Sequence, residues 1–455
     1  MLVNHKHYLF FIYLMLGVIA MALRPSFYGD IDNGFIVSCL LIVSLAVVVH
    51  YTFIKSKNYL TISSLFLLGF IIVHFQWPLM LSVSDIEPAY FSFSPPNYAY
   101  INYGTWLSCL GLLSWFCGYS LAGKPLRVNG SLFFYNYKKI VYFNYFLLVV
   151  FAVAVGPGYL SGEVYRGELS DTGIGFYVFK VLDVTSLLLV LATVVNAKDR
   201  YKGSAVKWAL SLDRSFLIFS FIFVVLFLVS GFRSPALKYI FSFLVLYAAL
   251  IKPIKFKAFL VMITVGAIFL TVIGITRSGG AVSLTDVQGF NAYDITAELG
   301  DCVRDLYFSL ELVPQSDNFF YGELWSGSFL AIVPKLPSIY LLFTDIPSYL
   351  LDSNTYITYM RFGSYATSGE GTTLIADIYL NFASSGVVFF MFVLGGFMKK
   401  LDLTMINSRN LYSLLVATTM GSVAFYLGRA SLFFMLQQLV WGLIFLRVFM
   451  GGRRK

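Results

Sequence analysis

Charge is scarce in this sequence. Aspartate, glutamate, lysine and arginine make up 12% of its 455 residues, against about 25% in an ordinary soluble domain. That shortage excludes a large water-exposed surface. Histidine is rarer still: His5, His7, His50 and His74 are the whole set. All four precede residue 75, so no histidine base stands in the long polar stretch described below, and a zinc site there lacks its usual ligands. Cysteine also numbers four. Cys39, Cys109 and Cys117 lie in apolar runs, where the residue serves as a small hydrophobe, and Cys302 is the one cysteine in the long polar stretch. A disulfide framework and a thiolate metal site are thereby excluded. Walker A, G-x-S-x-G and strand-linked G-x-G-x-x-G patterns are missing, which removes the common nucleotide-binding and hydrolase templates. Short alternating segments are missing too, which argues against a membrane β-barrel.

Apolar runs take up the remaining space. Hydrophobic residues reach 58% and mean hydropathy is +0.78. Twelve runs of near membrane-spanning length can be delimited: Tyr8–Leu23, Phe35–Ile54, Tyr59–Val83, Tyr98–Ala122, Ile140–Leu160, Ile174–Asn196, Phe216–Ser230, Pro235–Ile251, Phe256–Gly274, Leu374–Phe397, Leu411–Leu427 and Ser431–Phe449. They predict an all-α polytopic membrane protein of about twelve transmembrane helices. The first run lacks a small-x-small cleavage site and is followed by Arg24-Pro25, so it reads as a retained helix. Three parts follow: helices 1–9 over residues 1–274, one large polar loop over 275–373, and helices 10–12 over 374–455.

The basic residues set an orientation. With the N-terminus inside, 22 of the 32 lysines and arginines fall on the inner side and nine on the outer side, while Lys180 lies deeper within a span. Acidic residues run the other way, with three inside and nineteen outside. By the positive-inside rule both termini are cytoplasmic and the large loop faces the trans side. The net charge of +9 is this topological bias; it does not imply a nucleic-acid partner.

The loop carries eleven acidic residues and four basic ones, Arg277, Arg304, Lys335 and Arg361. A structureless loop of this length would be unusual. Asn291 to Val313 reads as an amphipathic helix, with Ile295, Leu299, Val303, Leu306 and Leu310 at helical spacing. Beyond it, Trp325, Tyr340, Phe343, Tyr349 and Tyr356 suit a lid at headgroup level, either as anchors or as substrate contacts.

Basic residues on the disfavoured side are the candidates for chemistry. Arg233 and Arg429 sit in matching short turns, Gly231-Phe232-Arg233-Ser234 and Gly428-Arg429-Ala430-Ser431, and Arg277 follows directly on the ninth span. Snorkelling explains any one of them. Three at one depth beside a lid point to an anion, and guanidinium suits phosphate because its planar fork binds bidentately and keeps its charge. Arg361 is a fourth candidate, and Lys238, about one turn inside the eighth span, supplements Arg233. Lys180 and Asp183, one turn apart, read as a self-neutralising pair. Glu370, between Gly369 and Gly371, is the candidate base; the plainer reading is an acid at a helix N-terminus. Asp30 and Asp32 read mainly as a turn before the second helix.

One stretch then gains a second meaning. Gly369-Glu370-Gly371-Thr372-Thr373-Leu374, followed by Asp377-Ile378-Tyr379-Leu380-Asn381-Phe382 and Ser385-Gly386-Val387, resembles the O-antigen polymerase (Wzy) family of oligosaccharide repeat-unit polymerases. The arginine turns at Arg233 and Arg429 are also similar to that family's. Ala383-Ser384 departs from it, standing where a glycine is expected after Asn-Phe. The resemblance implies a GT-C-like glycosyltransferase architecture in the bacterial inner membrane, active at the periplasmic face. It implies undecaprenyl-pyrophosphate-linked oligosaccharides as substrates, no metal or other cofactor, and a Wzz-type chain-length regulator as a partner. On it, Arg233, Arg277 and Arg429, with Arg361 and Lys238, hold pyrophosphate, and Glu370 and Arg277 serve catalysis. Two rivals share parts of the pattern. An O-antigen ligase is expected to carry a loop histidine, and a lipid-linked oligosaccharide flippase is expected to gather charge along a central cavity.

Overall fold

The computed structural model of the chain describes residues 2–54, 57–83, 98–126, 137–160, 173–277, 296, 299–314, 317–366, 369–407 and 410–450. Side chains 2–6, 54, 157, 160 and 269–277 fall outside that description. Among the described residues there are helices and no strands. Each of the twelve apolar runs forms a helix. We number them α1 (Leu2–Ala22), α2 (Asn33–Ile54), α3 (Ile62–Val83), α4 (Ile101–Leu121), α5 (Tyr137–Val155), α6 (Ile174–Ala197), α7 (Arg214–Val229), α8 (Arg233–Leu250) and α9 (Phe256–Arg277). The loop contributes α10 (Arg304–Leu312), α11 (Ser326–Leu330), α12 (Leu336–Leu342) and α13 (Ser353–Phe362). The chain closes with α14 (Leu374–Asn407), α15 (Leu411–Val423) and α16 (Leu436–Met450). Five segments are long and apolar enough to cross a membrane on those criteria alone: Asn33–Phe53, Ile62–Val83, Tyr137–Val155, Ile174–Arg200 and Leu374–Asn407.

Helix α4 is the central column. Every residue from Tyr103 to Ser120 is buried, as expected of a helix apolar all round and enclosed by others. Its main neighbour is α14, and small residues set the distance between them. A Cβ on Gly118 would lie 1.8 Å from the Phe392 carbonyl oxygen, and one on Gly395 would lie 2.0 Å from that of Trp115. Glycines at such positions let two backbones touch, the usual device of helix packing in lipid. The same device brings α3 against the end of α15, where a Cβ on Gly69 would meet the Phe425 carbonyl oxygen at 1.9 Å. Asp32 accepts from the Phe35 amide at 3.0 Å and so caps α2, which is the turn role expected for that acid.

Helix α14 is broken near its start. Phe382 (φ −139°, ψ 19°) and Ala383 (φ 58°, ψ −164°) leave helical geometry while the axis continues beyond them. The break exposes two carbonyls, and the loop satisfies them. Phe320 N donates to Leu380 O at 3.1 Å, and Tyr321 N donates to Asn381 O at 2.9 Å. Asn381 Oδ1 also receives Gly322 N at 3.0 Å. Here the loop is stitched to the bundle.

A second fastening lies one turn earlier. Asp377, fully buried on α14, accepts from Trp325 Nε1 at 2.9 Å, Ser353 Oγ at 2.6 Å and the Leu432 amide at 2.8 Å. One carboxylate thus joins three chain segments. The loop aromatics divide accordingly: Trp325 and Tyr356 are buried, while Phe343 is exposed. Tyr349 stacks on Tyr359 with ring centroids 3.8 Å apart.

Candidate anion site at the loop end

The site is built outward from α10. Val303, Leu306, Tyr307 and Leu310 bury one face of this segment, matching the helical spacing expected of the loop's amphipathic stretch; Ile295 lies outside the described residues. Burying that face sets Asp301, Arg304 and Asp305 on the adjoining stripe, since positions three and four apart are neighbours on a helix.

Arg304 then meets Glu370. Its Nη2 lies 2.7 Å from Glu370 Oε2, and its Nη1 lies 3.5 Å from Asp301 Oδ2. The other Glu370 oxygen faces a second guanidinium, with Arg361 Nε 3.4 Å from Oε1. Arg361 arrives in the last turn of α13, whose start is capped by Asp352 accepting from the Thr355 amide. Its guanidinium lies 5.8 Å from the Phe308 ring centroid, a contact that adds cation–π attraction. The Glu370 amide donates to Thr358 Oγ1 at 3.0 Å. After it, Gly371 takes φ +108°, which a side chain would strain, and its missing Cβ faces Asp305 Oδ2 at 3.6 Å.

Asp305 is the unusual member. It is fully buried, and neither carboxylate oxygen has a hydrogen-bond partner among the described residues. Burial pushes its carboxyl well above the usual range; the Glu370 charge adds to this, and Arg304, Arg361 and Arg429 oppose it. Asp301 is pushed up to about 6, again mainly by burial and against the pull of Arg304. Arg429 ends the 3-10 turn Leu427–Arg429 between α15 and α16, and its charge acts on both Asp301 and Asp305. Three arginines and three acids from four chain segments therefore share one corner. A guanidinium presents its five N–H donors in a planar fork, the geometry that suits an oxyanion.

The candidates from the sequence distribute unevenly around this corner. Glu370, Arg361 and Arg429 belong to it. Arg277 is the last residue of α9, and its side chain lies outside the described residues. Arg233 opens α8 after a turn in which Gly231 takes φ +85°, and is half-buried. Lys238 departs from its expected setting: it ion-pairs with Asp183 at 2.8 Å. That pairing also corrects the expected Lys180–Asp183 pair, because α8 packs on α6 and brings a lysine to Asp183 from outside its own helix. Lys180 instead places its ammonium 5.1 Å from the Phe176 ring centroid. Sequence reading passed over Arg304, Asp301 and Asp305. The available signal was a lone arginine between two aspartates on a predicted amphipathic helix, in a loop otherwise short of cations. Among the described residues no three histidine, cysteine, aspartate or glutamate side chains gather to hold a metal ion.

The comparison that decides the family is a match over residues 6–453 to the family described as O-antigen polysaccharide polymerase Wzy. The chain belongs to the Wzy family. With its apolar helices this makes it a polytopic membrane protein of polysaccharide biosynthesis. No curated protein and no solved structure matches it. In the structure the Gly369–Leu374 stretch delivers Glu370 to the arginines, and the Asp377–Phe382 stretch fastens the loop. The structure also explains the glycine expected after Asn-Phe. It places Ala383 at a positive φ where glycine alone is unstrained.

Proposed function

We propose that this Wzy-family chain is a glycosyltransferase that polymerises undecaprenyl-pyrophosphate-linked oligosaccharide repeat units at the periplasmic face of the bacterial inner membrane. It does so on a GT-C-type frame of twelve spans with both termini cytoplasmic. The observation that carries this reading is the convergence of Arg304 and Arg361 on Glu370, with Arg429 acting on the same corner.

In the resting arrangement Glu370 holds the two guanidinium groups in place. An arriving lipid pyrophosphate offers them a doubly ionised partner, and Arg304, Arg361 and Arg429 turn to its oxygens, joined by Arg277 from the end of α9. That exchange frees the Glu370 carboxylate. A hydroxyl at the non-reducing end of the acceptor glycan attacks the anomeric carbon, the C–O bond to pyrophosphate breaks, and Glu370 takes the hydroxyl proton. The arginines stabilise the charge that builds on the leaving group, so no metal is needed for it. A Wzz-type regulator is the protein partner this reading implies.

The test is a reconstituted assay with lipid-linked repeat units, read as a glycan ladder. Glu370→Gln should cut turnover at least 100-fold, the order expected when a general base is lost. Arg361→Lys and Arg429→Lys should each recover only part of the activity, because lysine lacks the fork. Chelator should have no effect. A ladder of normal rate from the Arg361→Lys/Arg429→Lys double variant would overturn the pyrophosphate assignment. Transfer to a lipid A core acceptor, or translocation without bond formation, would overturn the polymerase reading itself.

A further inference from the structure

A second polar place lies away from the arginine corner, between α6, α8 and α16. Here a recess of about 80 Å³ is walled by Lys180, Asp183, Lys238, Gln437, Gln438 and Trp441, with Val184 and Phe434 completing it. Asp183 Oδ2 receives Lys238 Nζ at 2.8 Å and Gln438 Nε2 at 3.0 Å. One carboxylate therefore fixes a cation and an amide in the wall, and Lys180 brings a second ammonium to it.

Depth identifies what could enter. Lys180 stands six residues after the start of α6, Lys238 five after the start of α8, and Gln437 and Trp441 one and five after the start of α16. At a rise of about 1.5 Å per residue, all lie within roughly 9 Å of the starts of their helices. The headgroup layer of a leaflet is about 5–8 Å thick. The recess thus lies near one end of the bundle, where a lipid headgroup layer would meet these helices.

The loop fastens itself over this place. Gln437 Nε2 donates to Ala331 O at 2.6 Å, and Trp441 Nε1 donates to Ile332 O at 2.7 Å. The fastened stretch leads into α12, at whose end Leu342 and Phe343 are 82% and 84% exposed, an apolar surface suited to a lipid tail. A merely structural ion pair needs Lys238 and Asp183 alone. It needs neither a hollow beside it nor a second lysine, and ionisable groups at this depth ordinarily mark a ligand path.

We infer that the recess between α6, α8 and α16 is a second anion site that takes the phosphate of a membrane lipid, held by Lys180 and Lys238 with the amide of Gln437. Asp183 positions Lys238 and Gln438. The site shares no residue with the arginine corner. Two lipids offer the same chemistry, a polyprenyl pyrophosphate and an anionic phospholipid; only the first choice rests on the polymerase reading.

The experiment uses the full chain in phosphatidylcholine nanodiscs, with lipid binding followed by native mass spectrometry. The probes are geranylgeranyl pyrophosphate and phosphatidylglycerol. Lys180→Gln removes one ammonium from the wall. The double variant Asp183→Asn/Lys238→Gln removes the pair without stranding a carboxylate. Both should weaken one bound lipid about tenfold while a second pyrophosphate, lost in Arg361→Gln/Arg429→Gln, is kept. Loss of pyrophosphate in the lysine variants assigns the polyprenyl lipid, and loss of phosphatidylglycerol alone assigns the phospholipid; either supports the site. Unchanged occupancy of both lipids in both folded lysine variants would overturn it. That outcome would leave the arginine assignment intact, whereas unchanged binding in the arginine variant would sink that assignment and spare this one.

Discussion

Replacing Ala383 by glycine should make the protein more stable. Ala383 adopts φ 58°, ψ −164°, close to a region that residues with a Cβ avoid at a cost of about 1–3 kcal/mol. Glycine removes that strain. It also loses more freedom on folding, roughly 0.5–1 kcal/mol relative to alanine. The balance favours Ala383→Gly by about 0–2.5 kcal/mol. A domain of 150–250 residues shifts about 2–4 °C per kcal/mol, and a longer chain shifts less, so a rise of up to about 5 °C is expected. Scanning fluorimetry in detergent at one fixed scan rate would measure it, since unfolding of such a protein is read as an apparent midpoint. The neighbouring Gly386→Ala is the control in the opposite direction, because its Cβ would sit 2.3 Å from that of Phe382. Should Ala383→Gly lower the midpoint, the backbone break would not be the strained junction described above.

Trp325→Phe keeps the ring but deletes the Nε1 donor to Asp377, a hydrogen bond to a carboxylate worth about 1.5–3 kcal/mol. Faster limited proteolysis within residues 317–366 should report the loosened loop, and unchanged cleavage would show that Ser353 and Leu432 hold Asp377 without it. Asp301 supplies a pH signature. Its folded-state value of about 6 lies above the unfolded value of about 3.9, so the folded chain binds the extra proton between the two. The stability from this group is therefore fully present below about pH 4 and is lost as pH rises through about 6. Asp301→Asn should flatten that part of the thermal-stability profile; an unaltered profile would remove Asp301 from the account.

The helices were legible because apolar length and turn residues act locally. Even the short runs around Phe216–Ser230 and Pro235–Ile251 fold as α7 and α8. Glu370, Arg361 and Arg429 were legible as charges out of place. Arg304 was not, because its importance comes from α10 docking on α4 and α14, and no local pattern encodes which face of a docked helix meets residue 370. The partner of Lys238 was hidden for a similar reason. Its position within α8 was clear, but its partner Asp183 lies 55 residues away on α6. Asp377 looked like one acid after another in a motif, yet three donors from distant segments converge on it.

The seam between α4 and α14 restricts how this protein can move. With a methyl group at Gly118 or Gly395 already colliding with backbone oxygen, neither helix has room to ratchet along the other by a turn. Whatever travel a lengthening glycan demands must then be made by the cargo or by the part of the chain above the Phe382–Ala383 break. The lower bundle serves as a fixed bearing.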